Sequence, residues 1–281
     1  MSERIAYFDC FSGASGDMLL GALLDAGLEL PELKSDLAGL GVGGYELVLA
    51  RLVSHGISGS RLAVVVKGGD RPARNLPMVV DLLEHAALPS GVVEASINVF
   101  QRLAEAEAKV HGVPVDEVHF HEVGAVDTLV DVVGFCSAIA RLGIGATYSS
   151  PLPLGGGTIR TEHGLLPVPA PATLALLAAA RAPVVHSDAQ AELVTPTGAA
   201  ILTTLARFAQ PPMTIERIGY GFGAKELPWA NALRVWIGRA LAQPGAMDEA
   251  PSAHEHSHGH THSSEHGEVP QEGLPSHSAR H

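Results

Sequence analysis

The sequence predicts an α/β fold in which a mixed sheet is flanked by helices and followed by a disordered, histidine-rich tail. Three observations support this prediction. Short apolar runs bounded by glycine or proline alternate with longer amphipathic segments. Apolar residues make up 46 % of the 281 residues and charged residues 17 %, which is enough apolar material for a large core. Eight of the 15 histidines lie in the last 28 residues, so the end of the chain differs in composition from the body.

Short apolar runs mark the predicted strands. Residues 5–9 form a buried run that leads into a loop of small residues, as a core strand would. Residues 45–49 and 62–66 are separated by a segment that contains Gly56 and Gly59, which favours a hairpin. Further strands are predicted at residues 118–121, 214–220 and 232–238.

Longer segments with helical spacing mark the predicted helices. The clearest covers residues 92–111, where apolar side chains recur at three- and four-residue intervals and share one face. Residues 18–26 form another helix, which stops at Gly27. Pro171 and Pro196 each open a helix, a position where proline is favoured. The other helices are predicted from Pro31 to about residue 39 and at residues 76–87, 127–142, 171–180 and 196–208.

Composition excludes several classes of protein. The chain has 18 Lys and Arg against 30 Asp and Glu, a formal charge of −12, so no basic surface for nucleic acid is expected. The chain contains no run of about 18 uncharged apolar residues, the length that a membrane span needs. The first residues lack the features of a secretory signal. Cys10 and Cys136 lie in apolar stretches and predict buried thiols in a cytoplasmic protein. The acidic, alanine-rich body is compatible with a homo-oligomer.

The chain divides into a predicted globular body, residues 1–243, and a predicted disordered tail, residues 244–281. The tail has too few large apolar side chains to offset the entropy of ordering it. Its histidines stand mostly at every second position, so a flexible chain could bring several imidazoles to one metal ion. The predicted metal-binding residues are His254, His256, His258, His260, His262 and His266. The alternatives are a purification tag or an accidental polar tail, and composition does not select the metal.

A second cluster of candidate groups lies inside the body. His119 and His121 point to one face of a strand, a spacing that can chelate one ion. Glu122 follows directly, and Asp127 begins the next helix, where a carboxylate is stabilised by the helix dipole. Asp131 shares the face of Asp127. We predict that His119, His121, Glu122 and Asp127 are catalytic. The alternative is that the histidines are structural and that Asp127 only caps its helix.

The loop between the first strand and the first helix is a candidate anion site. Its small residues leave backbone N–H groups free at a helix N-terminus, which favours a phosphate. The candidate ligand-binding residues are Ser12, Gly13, Ser15, Gly16 and Asp17. Asp9 and Asp17 would repel an anion unless a metal ion or a cationic ring intervened. The loop lacks the lysine of a Walker A motif, and the alternative is a simple capping turn.

A glycine-rich segment is the last candidate for a ligand-binding site. Residues 147–170 carry prolines and glycines in series with few charges, which predicts an ordered loop or hairpin. The candidate ligand-binding residues here are Gly155, Gly156, Arg160 and His163, because glycine permits close approach and a guanidinium can bind a phosphate or carboxylate. The alternative is a structural hairpin with its turn at His163 and Gly164. Thr195 is predicted to be the N-cap of the helix that begins at Pro196.

Five long stretches of the body closely resemble the LarC family, the nickel insertion proteins of the lactate racemase system. The resemblance spans residues 5–238 in order. The stretches are YFDCFSGASGDMLLGALLDAG, AEAEAKVHG, HFHEVGAVDTLVDVVG, SPLPLGGGTIRTEHGLLPVPAPAT and ELVTPTGAAIL. The histidine-rich segment after the body also fits this family.

The resemblance implies a reaction. Members of the family insert Ni²⁺ into pyridinium-3,5-bisthiocarboxylic acid mononucleotide and form the nickel-pincer nucleotide, in which two sulfurs and a ring carbon hold the metal. This implies a cyclometallase of the lyase class that uses CTP with a divalent cation. CTP use is associated with a second domain of the relatives, so a separate polypeptide carrying that domain is an expected partner. The apo-enzyme that receives the cofactor is another.

The resemblance also suggests roles for the candidate groups. The tail would gather Ni²⁺, and His119, His121 and Glu122 would pass it on or accept a ring proton. Residues 12–16 or 155–160 would hold the nucleotide phosphate. The alternative from another functional class is a nickel chaperone or storage protein that turns nothing over, and zinc buffering is a weaker option.

Overall fold

A central sheet organises the protein. The structure, a computed structural model, describes residues 2–67, 74–118, 126–161 and 163–241. The strands are β1 (Arg4–Asp9), β2 (Tyr45–Ser54), β3 (Ile57–Val66), β4 (Ala146–Ser149), β5 (Leu152–Leu154), β6 (Thr158–Thr161), β7 (Gly164–Pro167), β8 (Val184–His186), β9 (Ala206–Phe208), β10 (Met213–Phe222) and β11 (Ala232–Ala240). Seven of them form one sheet in the order β2-β3-β10-β11-β1-β4-β9.

The pairing of these strands is mixed, which confirms the predicted α/β class. Strand β1 runs antiparallel to β11 and parallel to β4, and β9 adds to the edge in parallel with β4. Strands β2 and β3 form the predicted hairpin at the other edge. Strands β6 and β7 form a separate antiparallel hairpin, with His163 in the turn before Gly164.

Helices pack on the sheet and on one another. The helices are α1 (Gly16–Asp25), α2 (Leu30–Ala38), α3 (Leu76–Glu84), α4 (Ser90–His111), α5 (Val126–Arg141), α6 (Pro171–Ala180) and α7 (Pro196–Leu205). A 3₁₀ turn, Val115–Glu117, follows α4. Helix α1 approaches β10 so closely that a Cβ on Gly221 would lie 1.9 Å from the carbonyl oxygen of Met18. This contact holds the first turn of α1 against β10.

Two local predictions differ from the structure or lie partly outside it, and strand β8 is one of the strands that the sequence did not predict. The predicted helix at 196–208 ends at Leu205, because Ala206 turns into an extended conformation and pairs with β4. Strand β8 is exposed and pairs with the distant β5, so no local pattern marks it. Of the predicted strand at 118–121, only Val118 belongs to the described residues, and it lies buried outside any strand.

Both cysteines are buried free thiols, as predicted. Burial raises the pKa of Cys10 to about 12 and that of Cys136 to about 11, so both thiols stay protonated at neutral pH. Among the helices of the described residues, none is long and apolar enough to cross a membrane. The tail, residues 244–281, lies outside the described residues together with its boundary to the body.

Candidate functional site

A cavity of about 1010 Å³ opens beside the first residues of four helices. Helices α1, α5, α6 and α7 all contribute residues of their first turns to its lining. Strand β3, the last turns of α4 and the β6–β7 hairpin complete the walls. This volume is at the upper end of the usual range for small-molecule sites.

The loop before α1 brings two of these helices together. Gly13 has a φ of +122°, and a Cβ there would lie 2.1 Å from the carbonyl oxygen of Leu193. The N–H of Ala14 donates to that oxygen at 2.9 Å, and the N–H of Thr195 donates to the carbonyl of Ala14 at 3.0 Å. A glycine is therefore required at position 13, because it lets the chain before α1 lie against the chain before α7.

The four helix N-termini differ in whether the first turn carries an acidic side chain. Asp17 lies in the first turn of α1, where it accepts a hydrogen bond from the N–H of Met18 at 3.0 Å. Asp127 lies in the first turn of α5 and accepts from the N–H of Thr128 at 3.0 Å. Helices α6 and α7 begin with proline and have no acidic residue in the first turn. Their partial positive charge is therefore available to an external anion.

A third carboxylate, Asp131, lies one turn after Asp127. Its Oδ1 is buried and accepts no hydrogen bond from any residue that the structure describes. A Cβ on Gly16 would lie 2.3 Å from its Oδ2, so the missing side chain at position 16 makes room for this carboxyl group. Burial holds the pKa of Asp131 well above its ordinary value, and the charges of Asp17 and Asp127 raise it further.

Asp17 is held in a similar environment. Burial raises its pKa, and hydrogen bonds from the Ser15 hydroxyl and the N–H of Met18 oppose that rise in part. The positive charge of Arg61 on β3 acts in the same direction as those hydrogen bonds. Asp17, Asp127 and Asp131 thus form a cluster of three carboxylates in one wall of the cavity, which we call the acidic cluster.

Basic and imidazole side chains also line the cavity. The rings of His111 and His163 lie 4.9 Å apart between centroids, and Nε2 of His111 lies 3.4 Å from a carboxylate oxygen of Glu107. Lys225 donates from Nζ to the carbonyl of Glu192 at 3.0 Å. Arg61 and Arg160, both exposed residues, line the cavity from β3 and β6. The site therefore offers cationic groups as well as carboxylates.

The structure brings together only part of the predicted set. The predicted residues that line the cavity are Ser15, Gly16, Asp17, Asp127, Arg160 and His163. Ser12 instead accepts a hydrogen bond from Nε1 of Trp229 at 2.9 Å. A Cβ on Gly155 would lie 2.2 Å from the carbonyl oxygen of Ala191, and the N–H of Gly156 donates to Ala189 at 2.8 Å. These positions and Gly13 serve the packing of the loops.

Several predicted residues lie outside the described part of the chain. They are His119, His121, Glu122 and the tail histidines His254, His256, His258, His260, His262 and His266. Within residues 2–67, 74–118, 126–161 and 163–241, no three His, Cys, Asp or Glu side chains are arranged to hold a metal ion.

Sequence reasoning missed some of the cavity's residues. Glu107 and His111 are four apart on α4, a spacing that places them on one helix face, so this pair could have been noticed. Asp131 shares a helix face with Asp127 but is not among the predicted catalytic residues. Arg61 and Lys225 had no local signal, because long-range packing of β3 and of the loop after β10 brings them to the cavity.

Comparison with known proteins places the chain in a family. A family model described as nickel insertion protein matches residues 6–267. A relative in Thermomicrobium roseum is 57 % identical over 248 residues, which is 88 % of this chain and 61 % of the relative. A relative in Desulfitobacterium hafniense, named pyridinium-3,5-bisthiocarboxylic acid mononucleotide nickel insertion protein, is 48 % identical over 237 residues, which is 84 % of this chain and 58 % of the relative.

A third relative, in Roseiflexus castenholzii, is 50 % identical over 235 residues, 84 % of this chain and 59 % of its own length. The chain thus spans about three-fifths of the length of these curated relatives. No solved structure matches. The extent of the family match and these identities show that the chain belongs to the nickel insertion protein family.

Proposed function

We propose that the cavity binds pyridinium-3,5-bisthiocarboxylic acid mononucleotide and that the chain acts in the insertion of nickel into it. One observation carries this proposal. The first turns of α6 and α7 have no acidic residue, and they line a cavity that is large enough for a mononucleotide. Helix N-termini of this kind favour phosphate. The name of the Desulfitobacterium relative supplies the nucleotide and the metal.

Arg160 completes the proposed phosphate site. Its exposed guanidinium lies on the β6–β7 hairpin at the cavity, where it can approach a phosphate with two N–H groups. Thr195 contributes indirectly, because its hydroxyl accepts the N–H of Gly198 at 3.2 Å and holds the first turn of α7 in place. The first turns of α6 and α7 then present their remaining N–H groups to the ligand.

The metal-handling part of the proposal rests on residues outside the described part of the chain. The tail histidines gather Ni²⁺, because spaced imidazoles on one chain suit this ion. His119, His121 and Glu122 pass the ion toward the nucleotide, and Asp127 faces it from the cavity wall. The reaction consumes CTP with a divalent cation, and its product, the nickel-pincer nucleotide, serves lactate racemase-type enzymes.

Direct assay tests the proposed function. The full chain is incubated with the pyridinium mononucleotide, Ni²⁺, CTP and a divalent cation, and the nickel product is sought by mass spectrometry. Product from this chain alone supports a complete nickel insertase. Product that forms only after a polypeptide with the relatives' second domain is added supports a subunit of a two-chain enzyme.

The same assay separates the second candidate function. Nickel binding without product in both incubations would contradict insertion and favour a nickel chaperone or storage protein. The spaced histidines of the tail are the observation behind this candidate. Equilibrium dialysis with Ni²⁺ and Zn²⁺ in competition then identifies the stored metal.

A further inference from the structure

The acidic cluster lies next to the proposed phosphate site. A Cβ on Gly198, in the first turn of α7, would lie 2.9 Å from Cα of Ser15, and Asp17 follows Ser15 by two residues. A phosphate at the N-terminus of α7 would therefore lie close to the carboxylate of Asp17. Like charges at short range repel each other strongly where bulk water is excluded. The arrangement needs a positive charge between the phosphate and the cluster.

The side chains of the described residues supply little of that charge. In this part of the chain the aspartates that form ion pairs are Asp9, Asp25, Asp36, Asp81 and Asp188, and none belongs to the acidic cluster. Burial raises the pKa of Asp17, and of the groups that lower it Arg61 has the smallest effect. The missing positive charge is therefore expected to come from a bound cation.

We infer that Asp131 and Asp17 bind a hard divalent cation such as Mg²⁺, and that this cation bridges the two carboxylates to the phosphate of the bound mononucleotide. The inference rests on the proposed function and adds to it a cation site in the body. The resemblance associates CTP use with the relatives' second domain, so this site is separate from the one that binds CTP with its divalent cation.

Asp131 is the principal ligand, because one of its oxygens has no other partner. Oδ1 is buried and accepts no hydrogen bond from any described residue, although the residue lines the cavity. A buried carboxylate oxygen without a partner is costly, and a cation beside it removes that cost. The other oxygen, Oδ2, lies against the start of α1, where a Cβ on Gly16 would be 2.3 Å away. This contact brings the carboxyl group of Asp131 next to Asp17.

Asp17 is the second ligand. Its Oδ1 accepts the Ser15 hydroxyl and the N–H of Met18, at 3.0 Å, and these hydrogen bonds orient the carboxyl group. Both end on Oδ1, so Oδ2 can contact the cation. Asp127 accepts the N–H of Thr128 in the same way and adds negative charge to this wall of the cavity.

The ligand set favours Mg²⁺ and similar ions over Ni²⁺. Carboxylate and phosphate oxygens suit hard cations, whereas imidazole suits nickel. Among the described residues no three His, Cys, Asp or Glu side chains are arranged to hold a metal ion by themselves. Mg²⁺ does not need such a set, because it usually keeps several waters and is bound through one or two carboxylates together with a substrate phosphate.

Titration calorimetry with the full chain tests the inference. The ligands are nicotinamide mononucleotide and nicotinamide riboside, which differ only in the phosphate, and each is titrated with and without Mg²⁺. Bridging couples the two bound groups, so Mg²⁺ should raise the affinity for the mononucleotide at least about tenfold. The affinity for the riboside should stay the same. In Asp131→Asn the gain should fall to within about twofold.

Asp131→Asn has a second expected effect that a merely structural role would not produce. Without Mg²⁺ this variant should bind the mononucleotide at least as tightly as the wild type does, because a charge that repels the phosphate is gone. Asp188→Asn is the control, since it changes an exposed carboxylate outside the cavity lining and should keep the full gain from Mg²⁺.

The outcomes separate this inference from the proposed function. Equal affinity of the wild type for the mononucleotide with and without Mg²⁺ would overturn the cation site and leave the phosphate site standing. A full gain in Asp131→Asn would overturn the role of Asp131 as a ligand, and an equal gain for the riboside would overturn the bridge to phosphate. Failure of the mononucleotide to bind the wild type under either condition would contradict the nucleotide site itself.

Discussion

At the scale of single residues, Asp131 is a buried carboxyl group that lies near two other carboxylates, Asp17 and Asp127. Its pKa is raised first by burial and then by Asp17 and Asp127. A carboxyl group with a raised pKa in the folded state binds its proton more tightly there than in the unfolded chain. It therefore has no effect on stability below the unfolded pKa and destabilises the fold as pH rises toward and through the folded pKa.

Asp131→Asn is expected to stabilise the protein at neutral pH. The amide has nearly the same shape and removes the charge, so the melting temperature should rise at pH 7.5 and change little at about pH 3, where the carboxyl group is mostly protonated in the unfolded chain as well. For a protein of this size about 1 kcal/mol corresponds to roughly 2–4 °C. Thermal unfolding monitored by circular dichroism at both pH values measures this. Equal destabilisation at both would contradict the account.

Gly16→Ala is expected to disturb the site through Asp131. The new Cβ would lie 2.3 Å from Oδ2 of Asp131, so the carboxyl group or the start of α1 must move. Overpacking of this kind costs about 1–3 kcal/mol. Chemical denaturation should show the loss of stability.

Gly91→Ala is the matched control for that substitution. Gly91 lies in the first turn of α4, and nothing lies within 4 Å of the position of its Cβ. Its replacement should leave stability unchanged or raise it by a few tenths of a kcal/mol. A Gly16→Ala protein as stable as Gly91→Ala would show that Asp131 does not need the space.

At the scale of elements, the contrast between helix N-termini is the central feature. Helices α1 and α5 carry a carboxylate in their first turns, and α6 and α7 do not. The cavity therefore places uncompensated helix N-termini and carboxylates around one ligand. The phosphate of a mononucleotide is complementary to the uncompensated N-termini of α6 and α7.

Thr197→Asp should abolish this contrast. Thr197 lines the cavity in the first turn of α7, where an added carboxylate stabilises the helix but repels phosphate. We expect the affinity for nicotinamide mononucleotide to fall at least about tenfold, the effect of losing one charge-assisted contact. The affinity for nicotinamide riboside, which has no phosphate, should change far less. Calorimetric titration measures both.

Met78→Asp provides the control at the element scale. Met78 is exposed in the first turn of α3. That turn also has no acidic residue, and α3 does not line the cavity. The variant adds the same charge at a helix start and should bind as the wild type does. Equal losses in the two variants would mean that net charge, and not the α7 N-terminus, governs binding.

The sequence predicted the elements whose signals are local. The β2–β3 hairpin, the proline starts of α6 and α7 and the Thr195 cap all appear as expected, because each depends on neighbouring residues. The end of α7 and strand β8 depend on pairing with distant strands, which local patterns do not encode.

The same distinction applies to the candidate site. Asp17 and Asp127 could be found because they stand at the starts of predicted helices, and Arg160 because it is a cationic residue in the predicted glycine-rich segment. Arg61 and Lys225 reach the cavity only through tertiary packing, so their positions in the sequence carried no signal. Gly13 and Gly155 looked like ligand-binding glycines, but close approach to another stretch of backbone explains each of them.

At the scale of the whole molecule, we expect metal gathering and nucleotide binding to use separate parts of the chain, the tail and the body. A chain in which the five alternating tail histidines, His254, His256, His258, His260 and His262, are replaced by alanine should bind fewer Ni²⁺ ions after equilibrium dialysis. Its affinity for nicotinamide mononucleotide should equal that of the wild type, because the cavity is built from the body. Unchanged nickel stoichiometry would contradict a metal-gathering tail, and replacement of the exposed His85 and His186 serves as the control.

The most direct test of the central claim is to locate the bound nucleotide on the full chain. Hydrogen–deuterium exchange is measured by mass spectrometry with and without pyridinium-3,5-bisthiocarboxylic acid mononucleotide. We expect slower exchange at the four helix starts that line the cavity, residues 15–20, 127–132, 171–175 and 196–200. Binding with protection confined to other regions, or no saturable binding at all, would contradict it.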